Sequence, residues 1–241
     1  MTRIVAIGEC MVEMAPVATE GQFRLGYAGD TLNTAWYLRR LLGASDQIDY
    51  FTAVGTDVVS DKMIDFLQQA GIGTGRILRR DDKGVGLYMI QLQDGERSFS
   101  YWRSDSAARS LAADPLPLQA ALDNVDLAYF TGITLAILPP ADRTCLLNAL
   151  RRFRSGGGIV VFDPNLRPKL WASPDEMTQT VMQAAAVSDI ALPSYDDEAH
   201  CFGDGSVEAT LQRYAEAQVG CCIIKNGSGR ILAYDGDQIH F

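Results

Sequence analysis

Three short stretches combine residue types and spacings suited to holding a small hydroxylated or anionic molecule. In Gly26-Tyr27-Ala28-Gly29-Asp30-Thr31-Leu32-Asn33, a glycine-bearing turn runs into a helical pattern whose first turn carries Asp30, Thr31 and Asn33. A helix N-terminus presents free N–H groups, so these side chains either cap the helix or, with Gly29 allowing close approach, hold ligand hydroxyls. Asp163-Pro164-Asn165-Leu166-Arg167-Pro168 follows a strongly β-branched run, at the carboxyl edge where open α/β sheets place their ligands. Its two prolines fix the segment's shape. It is either a stiffened surface loop or a mount for Arg167, whose planar fork suits a carboxylate or phosphate. Lys225-Asn226-Gly227-Ser228-Gly229 also follows a strand pattern and reads as a tight turn or as a nucleotide-contacting loop. Tyr101-Trp102-Arg103, after an expected hairpin, is a lid surface with a cationic donor or a packed hairpin end.

Several chemistries are excluded by what the chain lacks. There is no G-x-x-x-x-G-K-[ST] phosphate loop, and no G-x-G-x-x-G follows the first strand pattern. With two histidines and no G-x-S-x-G, neither a hydrolase triad nor a histidine-held metal is easily built. Phosphoryl transfer needs neither, since it works by positioning and electrostatics with carboxylates and basic groups. The net charge of −9 argues against nucleic acid or an anionic membrane surface as partner, although a few arginines in one cleft can still hold a small anion. Five cysteines, odd in number and without C-x-x-C spacing, read as reduced thiols used for packing. The apolar run Ile4-Val5-Ala6-Ile7 is too short for a secretion signal, so a cytoplasmic protein is expected.

The elements that must position these residues alternate between short β-branched runs and longer amphipathic segments, the pattern of a parallel sheet flanked by helices. Strands are predicted at 4–8, 50–54, 127–131, 159–163, 190–192 and 221–225. Helices are predicted at 31–42, 57–70, 140–154, 174–186 and 207–217. Two stretches break the rhythm, about 11–27 and 86–103, and the second reads as a hairpin turning at Gln93-Asp94-Gly95-Glu96. Antiparallel strands inserted in such a chain commonly form a small lid. The expectation is one domain over 1–241, three-layered and doubly wound, with a β-sheet lid.

Taken in order, these segments resemble the PfkB, or ribokinase-like, family of sugar kinases. The resemblance rests on Ile7-Gly8-Glu9-Cys10-Met11, Gly29-Asp30-Thr31-Leu32-Asn33-Thr34, Ala53-Val54-Gly55-Thr56-Asp57, Gly86-Leu87-Tyr88, the run from Thr131 to Leu138, that from Phe162 to Trp171, and Lys225-Asn226-Gly227. Tyr101-Trp102-Arg103 and the segment ending in Leu170-Trp171 are similar to members acting on 2-keto-3-deoxygluconate; other sugar kinases, of the fructokinase or ribokinase type, are the alternative.

The resemblance implies ATP- and Mg²⁺-dependent phosphorylation of a sugar acid, by a homodimer joined through the lid. It implies sugar contacts from Gly29, Asp30, Asn33, Tyr88, Tyr101, Arg103 and Ile133, and a carboxylate grip from Arg167. Asn165, Ser194, Lys225 and Gly227 would lie on the nucleotide side. Asp197 or Glu198 would stand near Mg²⁺, with Ser194 in place of the family's usual asparagine. An acidic helix N-terminus favoured by the macrodipole is the other reading of that cluster. The family's Gly-Ala-Gly-Asp-like segment, with its catalytic aspartate, is expected beyond Phe241, which leaves a non-catalytic sugar-acid-binding chain as a further reading.

Overall fold

The structure, a computed structural model, describes residues 1–93 and 96–240. Asp94 and Gly95, the centre of the expected hairpin turn, and Phe241 lie outside the described residues. Two compact units divide the chain, Met1–Leu111 and Ala112–Phe241.

The first unit runs β1 (Arg3–Ile7), β2 (Met11–Pro16), β3 (Phe23–Ala28), α1 (Asp30–Leu41), β4 (Gln47–Phe51), β5 (Ala53–Gly55), α2 (Val58–Gln69), β6 (Leu78–Arg80), β7 (Leu87–Gln93) and β8 (Glu96–Trp102). The continuous apolar run of β1 suits a strand covered on both faces, and it pairs in parallel with β4 from Arg3 opposite Gln47 to Ile7 opposite Phe51. The single strand expected at 50–54 is instead broken at Thr52. The Thr52 carbonyl accepts a hydrogen bond from the Leu78 N–H, and the chain continues as β5, paired with β6. Asp57 caps α2 by accepting from the Val59 and Ser60 N–H groups, which satisfies donors the helix itself cannot.

The two stretches that broke the sequence rhythm form one four-stranded sheet in the order β3-β2-β7-β8. β2 pairs antiparallel with β3 and parallel with β7, and β7 pairs antiparallel with β8. Tyr88 stands opposite Tyr101 in that register, with ring centroids 5.8 Å apart.

The second unit runs α3 (Pro115–Leu122), β9 (Leu127–Thr131), α4 (Gly132–Ile137), α5 (Pro140–Ser155), β10 (Ile159–Asp163), α6 (Pro174–Ala185), β11 (Ile190–Ala191), α7 (Tyr195–Phe202), α8 (Val207–Glu216), β12 (Cys221–Ile224), β13 (Leu232–Tyr234) and β14 (Ile239–His240). β9, β10, β11 and β12 pair in parallel, and β13 and β14 continue the sheet antiparallel. Phe130 and Phe162 are partners in the β9–β10 register, and their rings stack at 4.8 Å. Ser173 and Ser206 cap α6 and α8. Residues 132–137 held no helix in the sequence reading, yet Thr131 and Thr134 form a reciprocal capping box that starts α4. Among the described residues no helix is long and apolar enough to cross a membrane.

Candidate functional site

In the first unit two of the expected sugar-side residues, Gly29 and Arg103, meet at one buried carboxylate, Glu9. Gly29 is the N-cap of α1. A β-carbon there would come within 2.3 Å of the Glu9 carbonyl oxygen, so only glycine lets the turn lie against the chain leaving β1. Asp30 begins the helix, and Asn33 is exposed one turn on. Thr31, the buried member of the triplet, shares a 2.7 Å hydrogen bond with the Tyr50 hydroxyl. It therefore fastens α1 to β4 rather than facing a ligand. Asn33 lines an open cleft of about 570 Å³ with Glu13, Arg24, Tyr27, Trp36 and Phe66.

The lid residues separate by environment. Tyr101 is exposed, whereas Tyr88 is buried and its hydroxyl donates to Glu13 Oε2. Burial, with the Glu13 carboxylate next, raises the Tyr88 hydroxyl well above the usual tyrosine range, so the phenol remains a donor. Arg103 is not an open cation: its side chain is 11% exposed and ion-paired with the 1% exposed side chain of Glu9. The Ser106 hydroxyl donates to the other oxygen of Glu9. Burial raises the proton affinity of Glu9, and Arg103 and Ser106 pull it back.

In the second unit the carboxyl ends of three neighbouring strands bring together the residues expected on the nucleotide side. Asp163, at the end of β10, accepts from the Asn165 N–H at 3.1 Å and from Lys225 Nζ at 2.9 Å. The first bond closes a tight turn that holds Asn165 at φ 37°, a left-handed conformation asparagine tolerates better than most residues. The Tyr195 N–H donates to the Lys225 carbonyl, and the Lys225 N–H to that of Pro193, which sets Ser194 and the start of α7 beside the 225–229 turn. Gly227 has φ 49°, and a β-carbon on it would lie 3.7 Å from Asp196 Oδ2. Ile133 sits half-buried on α4. The preceding Gly132 packs so closely on the 163–167 loop that a β-carbon would be 1.9 Å from the Pro164 carbonyl oxygen.

Arg167 stands at the open edge of this group. Its side chain is 51% exposed, its guanidinium lies 3.7 Å from Asp197, and Nη1 also donates to the Leu166 carbonyl at 2.6 Å. The two acids named for the metal part company. Asp197 is 41% exposed at its side chain, whereas Glu198 is fully buried, accepting from Arg213 Nη2 at 2.8 Å and the Tyr214 hydroxyl at 3.0 Å. Burial, the largest influence, pushes the Glu198 carboxyl up to about 7 against the pull of those partners. Glu198 thus anchors α7 on α8. Among the described residues no group of three or more His, Cys, Asp or Glu side chains is arranged to hold a metal ion. Of the two acids, Asp197 alone keeps an open carboxylate able to face a cation.

Sequence reading missed Glu13, Ser106 and the structural part of Glu9. Their signal is pairwise and long-range, between positions 75 and 97 residues apart, and no local motif reports it.

Comparison with known proteins fits this geometry. The pfkB family carbohydrate kinase model matches residues 1–241. The chain is 40% identical over 241 residues to 2-dehydro-3-deoxygluconokinase of Haemophilus influenzae, covering 98% of this chain and 76% of that protein. It is 42% identical over 236 residues to the Dickeya dadantii protein of the same name, covering 95% and 74%. Among solved structures, a PfkB protein from Polaromonas sp. JS666 superposes with a TM-score of 0.87 at 23% identity, over 99% of this chain and 81% of that one. Fructokinase with bound ATP from Xylella fastidiosa gives 0.84 at 21% identity, over 99% and 76%. The chain belongs to the pfkB family of carbohydrate kinases.

Proposed function

We propose that the chain serves the phosphorylation of 2-dehydro-3-deoxygluconate at its terminal hydroxyl, giving the 6-phosphate in the breakdown of sugar acids in the cytoplasm. The observation that carries this reading is the 38–42% identity to three proteins named 2-dehydro-3-deoxygluconokinase, over 95–98% of this chain. The fructokinase match is more distant, at 25%.

In this reading Gly29, Asp30 and Asn33 hold sugar hydroxyls, Tyr88 and Tyr101 form the lid wall with Arg103 behind them, and Ile133 adds an apolar contact. Arg167 grips the sugar's carboxylate, because a half-open guanidinium with one distant carboxylate partner keeps donors to spare. ATP, when bound with Mg²⁺, supplies the phosphoryl group. Asn165, Ser194, Lys225 and Gly227 hold its phosphates through N–H donors and one ammonium, and Asp197 stands near the cation. The lid sheet, with Tyr101 and Trp102 more than half exposed, joins a second copy.

Titration calorimetry of the chain with 2-dehydro-3-deoxygluconate and with fructose tests the substrate. Arg167→Ala should weaken the acid at least tenfold and leave fructose within about twofold. Equal losses, or a wild-type preference for fructose, would discard the sugar-acid assignment. A coupled ATP assay separates turnover from binding alone.

A further inference from the structure

Glu9 is buried between two of the residues assigned to sugar recognition, Gly29 and Arg103, and two that were not, Gly86 and Ser106. Its carbonyl fixes the Gly29 turn, where a β-carbon would clash at 2.3 Å. Its carboxylate meets the Arg103 guanidinium on one oxygen and the Ser106 hydroxyl on the other. Arg103 and Ser106 belong to one turn, closed by the Ser106 N–H donating to the Arg103 carbonyl at 3.2 Å. Gly86, at the foot of β7, makes the room: a β-carbon there would stand 2.8 Å from Glu9 Oε1 and 3.2 Å from Arg103 Cβ. Asp30 adds a second negative charge close enough to act on Glu9.

The pair is therefore electrically closed. An arginine beneath a lid would ordinarily favour any anion, yet here a fixed carboxylate already cancels its charge in a desolvated place, where charges interact strongly. What Arg103 retains is hydrogen-bonding capacity, because 11% of its side chain stays exposed beside the pair and a guanidinium carries five N–H donors.

We propose that Glu9 is the residue that sets charge selectivity at the sugar side, positioning Arg103 as a neutralised hydrogen-bond donor so that the choice of an acid over a neutral sugar falls to other groups. This rests on the sugar-acid reading above. It predicts an effect opposite in sign to that of a merely structural residue. Glu9→Gln keeps the shape and an acceptor oxygen but removes the carboxylate paired with Arg103, leaving the more distant Asp30 as its counter-charge and shifting the local charge one unit toward positive. The ratio of affinities for 2-dehydro-3-deoxygluconate and fructose should then rise about tenfold in favour of the acid, with a steeper loss of acid binding as salt is added. Glu9→Asp, which keeps the charge, should hold the ratio near wild type.

The experiment is calorimetric titration of both sugars at two ionic strengths on wild type, Glu9→Gln and Glu9→Asp, each checked for a cooperative thermal transition. A ratio unmoved by Glu9→Gln, with both sugars weakened alike, overturns the proposal. If Glu9→Gln does not fold, Arg103→Gln replaces it, titrated at about pH 6 and about pH 9 because an unpaired buried carboxyl takes up a proton: relative to wild type the ratio should fall severalfold at the higher pH, where Glu9 is ionised, and a ratio unchanged at both again overturns the proposal. The two readings fail separately. Equal wild-type affinity for the two sugars removes the sugar-acid assignment, while the change in ratio on substituting Glu9 is still measured.

Discussion

Lys225 Nζ lies 2.9 Å from Asp163 Oδ2, tying the tip of β12 to that of β10 across the short strand β11. The lysine side chain is 45% exposed and the aspartate 18%, so the pair itself is worth little, about 0–1 kcal/mol. In the proposed reading the ammonium is placed for a phosphate rather than as a brace. Lys225→Met should leave the denaturation midpoint nearly unchanged and weaken ATP binding about tenfold, read by titration calorimetry with Mg²⁺ present. A marked loss of stability with unaltered nucleotide affinity would return Lys225 to a structural role.

Gly132 makes a different kind of contact, backbone against backbone. The carbonyl of Pro164 occupies the space a β-carbon would need, 1.9 Å away, and neither the capped start of α4 nor the proline-bounded loop can yield cheaply. Gly132→Ala should cost about 1–3 kcal/mol by overpacking, seen as a lower urea midpoint at constant slope. Because the displaced loop carries Asn165 and Arg167, ligand affinity should fall with it. A neutral outcome would mean that α4 and the loop separate more freely than this contact implies.

These two positions mark how far the sequence could be read. The strand-tip motif 163–168 and the 225–229 turn were legible because prolines, glycines and a preceding β-branched run are local signals. The inserted stretches were legible because they broke the rhythm of strand and helix patterns and the second carried a polar turn at 93–96. The division of labour between the two arginines was not: Arg103 and Arg167 look alike in sequence, and only the distant Glu9 makes one a closed ion pair while the other stays half open. Asp197 and Glu198 likewise read as one acidic cluster, and helix geometry turns the second into the core, toward Arg213. The break at Thr52 depends on a pairing with β6, a strand too short to show any pattern of its own.

Tyr88 and Glu13 couple two lid strands through a buried phenol. Tyr88→Phe keeps the ring against Tyr101 and Phe99 but removes the donor, which should cost about 1–2 kcal/mol for a part-buried hydrogen bond to a charged acceptor. Replacing Glu13 by leucine as well should cost less than the sum of the two single changes, with a coupling of about 1 kcal/mol in a double-mutant cycle of urea unfolding. Strict additivity would show that the hydroxyl and the carboxylate act independently.

Glu198 should make the stability of the second unit depend on pH in an unusual direction for a carboxylate. Its folded value of about 7 lies above the ordinary 4.5, so between those limits the folded chain holds a proton that the unfolded chain has released. Linkage then requires stability to be greatest below about 4.5 as far as this group is concerned, and to decline as pH rises through about 7. Asp57, Glu176 and Asp204 are lowered and follow the opposite trend, so the contribution is isolated by difference. Glu198→Gln keeps one acceptor oxygen for Arg213 and turns an amide N–H toward the Tyr214 hydroxyl, which can accept it, but it cannot titrate. Relative to wild type it should gain on the order of 1–3 kcal/mol between pH 5 and pH 8, measured by urea unfolding at a series of pH values. Glu198→Ala, which strands Arg213 beside Asp204 alone, should instead be destabilised at every pH by about 3 kcal/mol or more. If the wild type and Glu198→Gln curves run parallel across that range, the carboxylate is ionised throughout, and Arg213 and Tyr214 outweigh its burial.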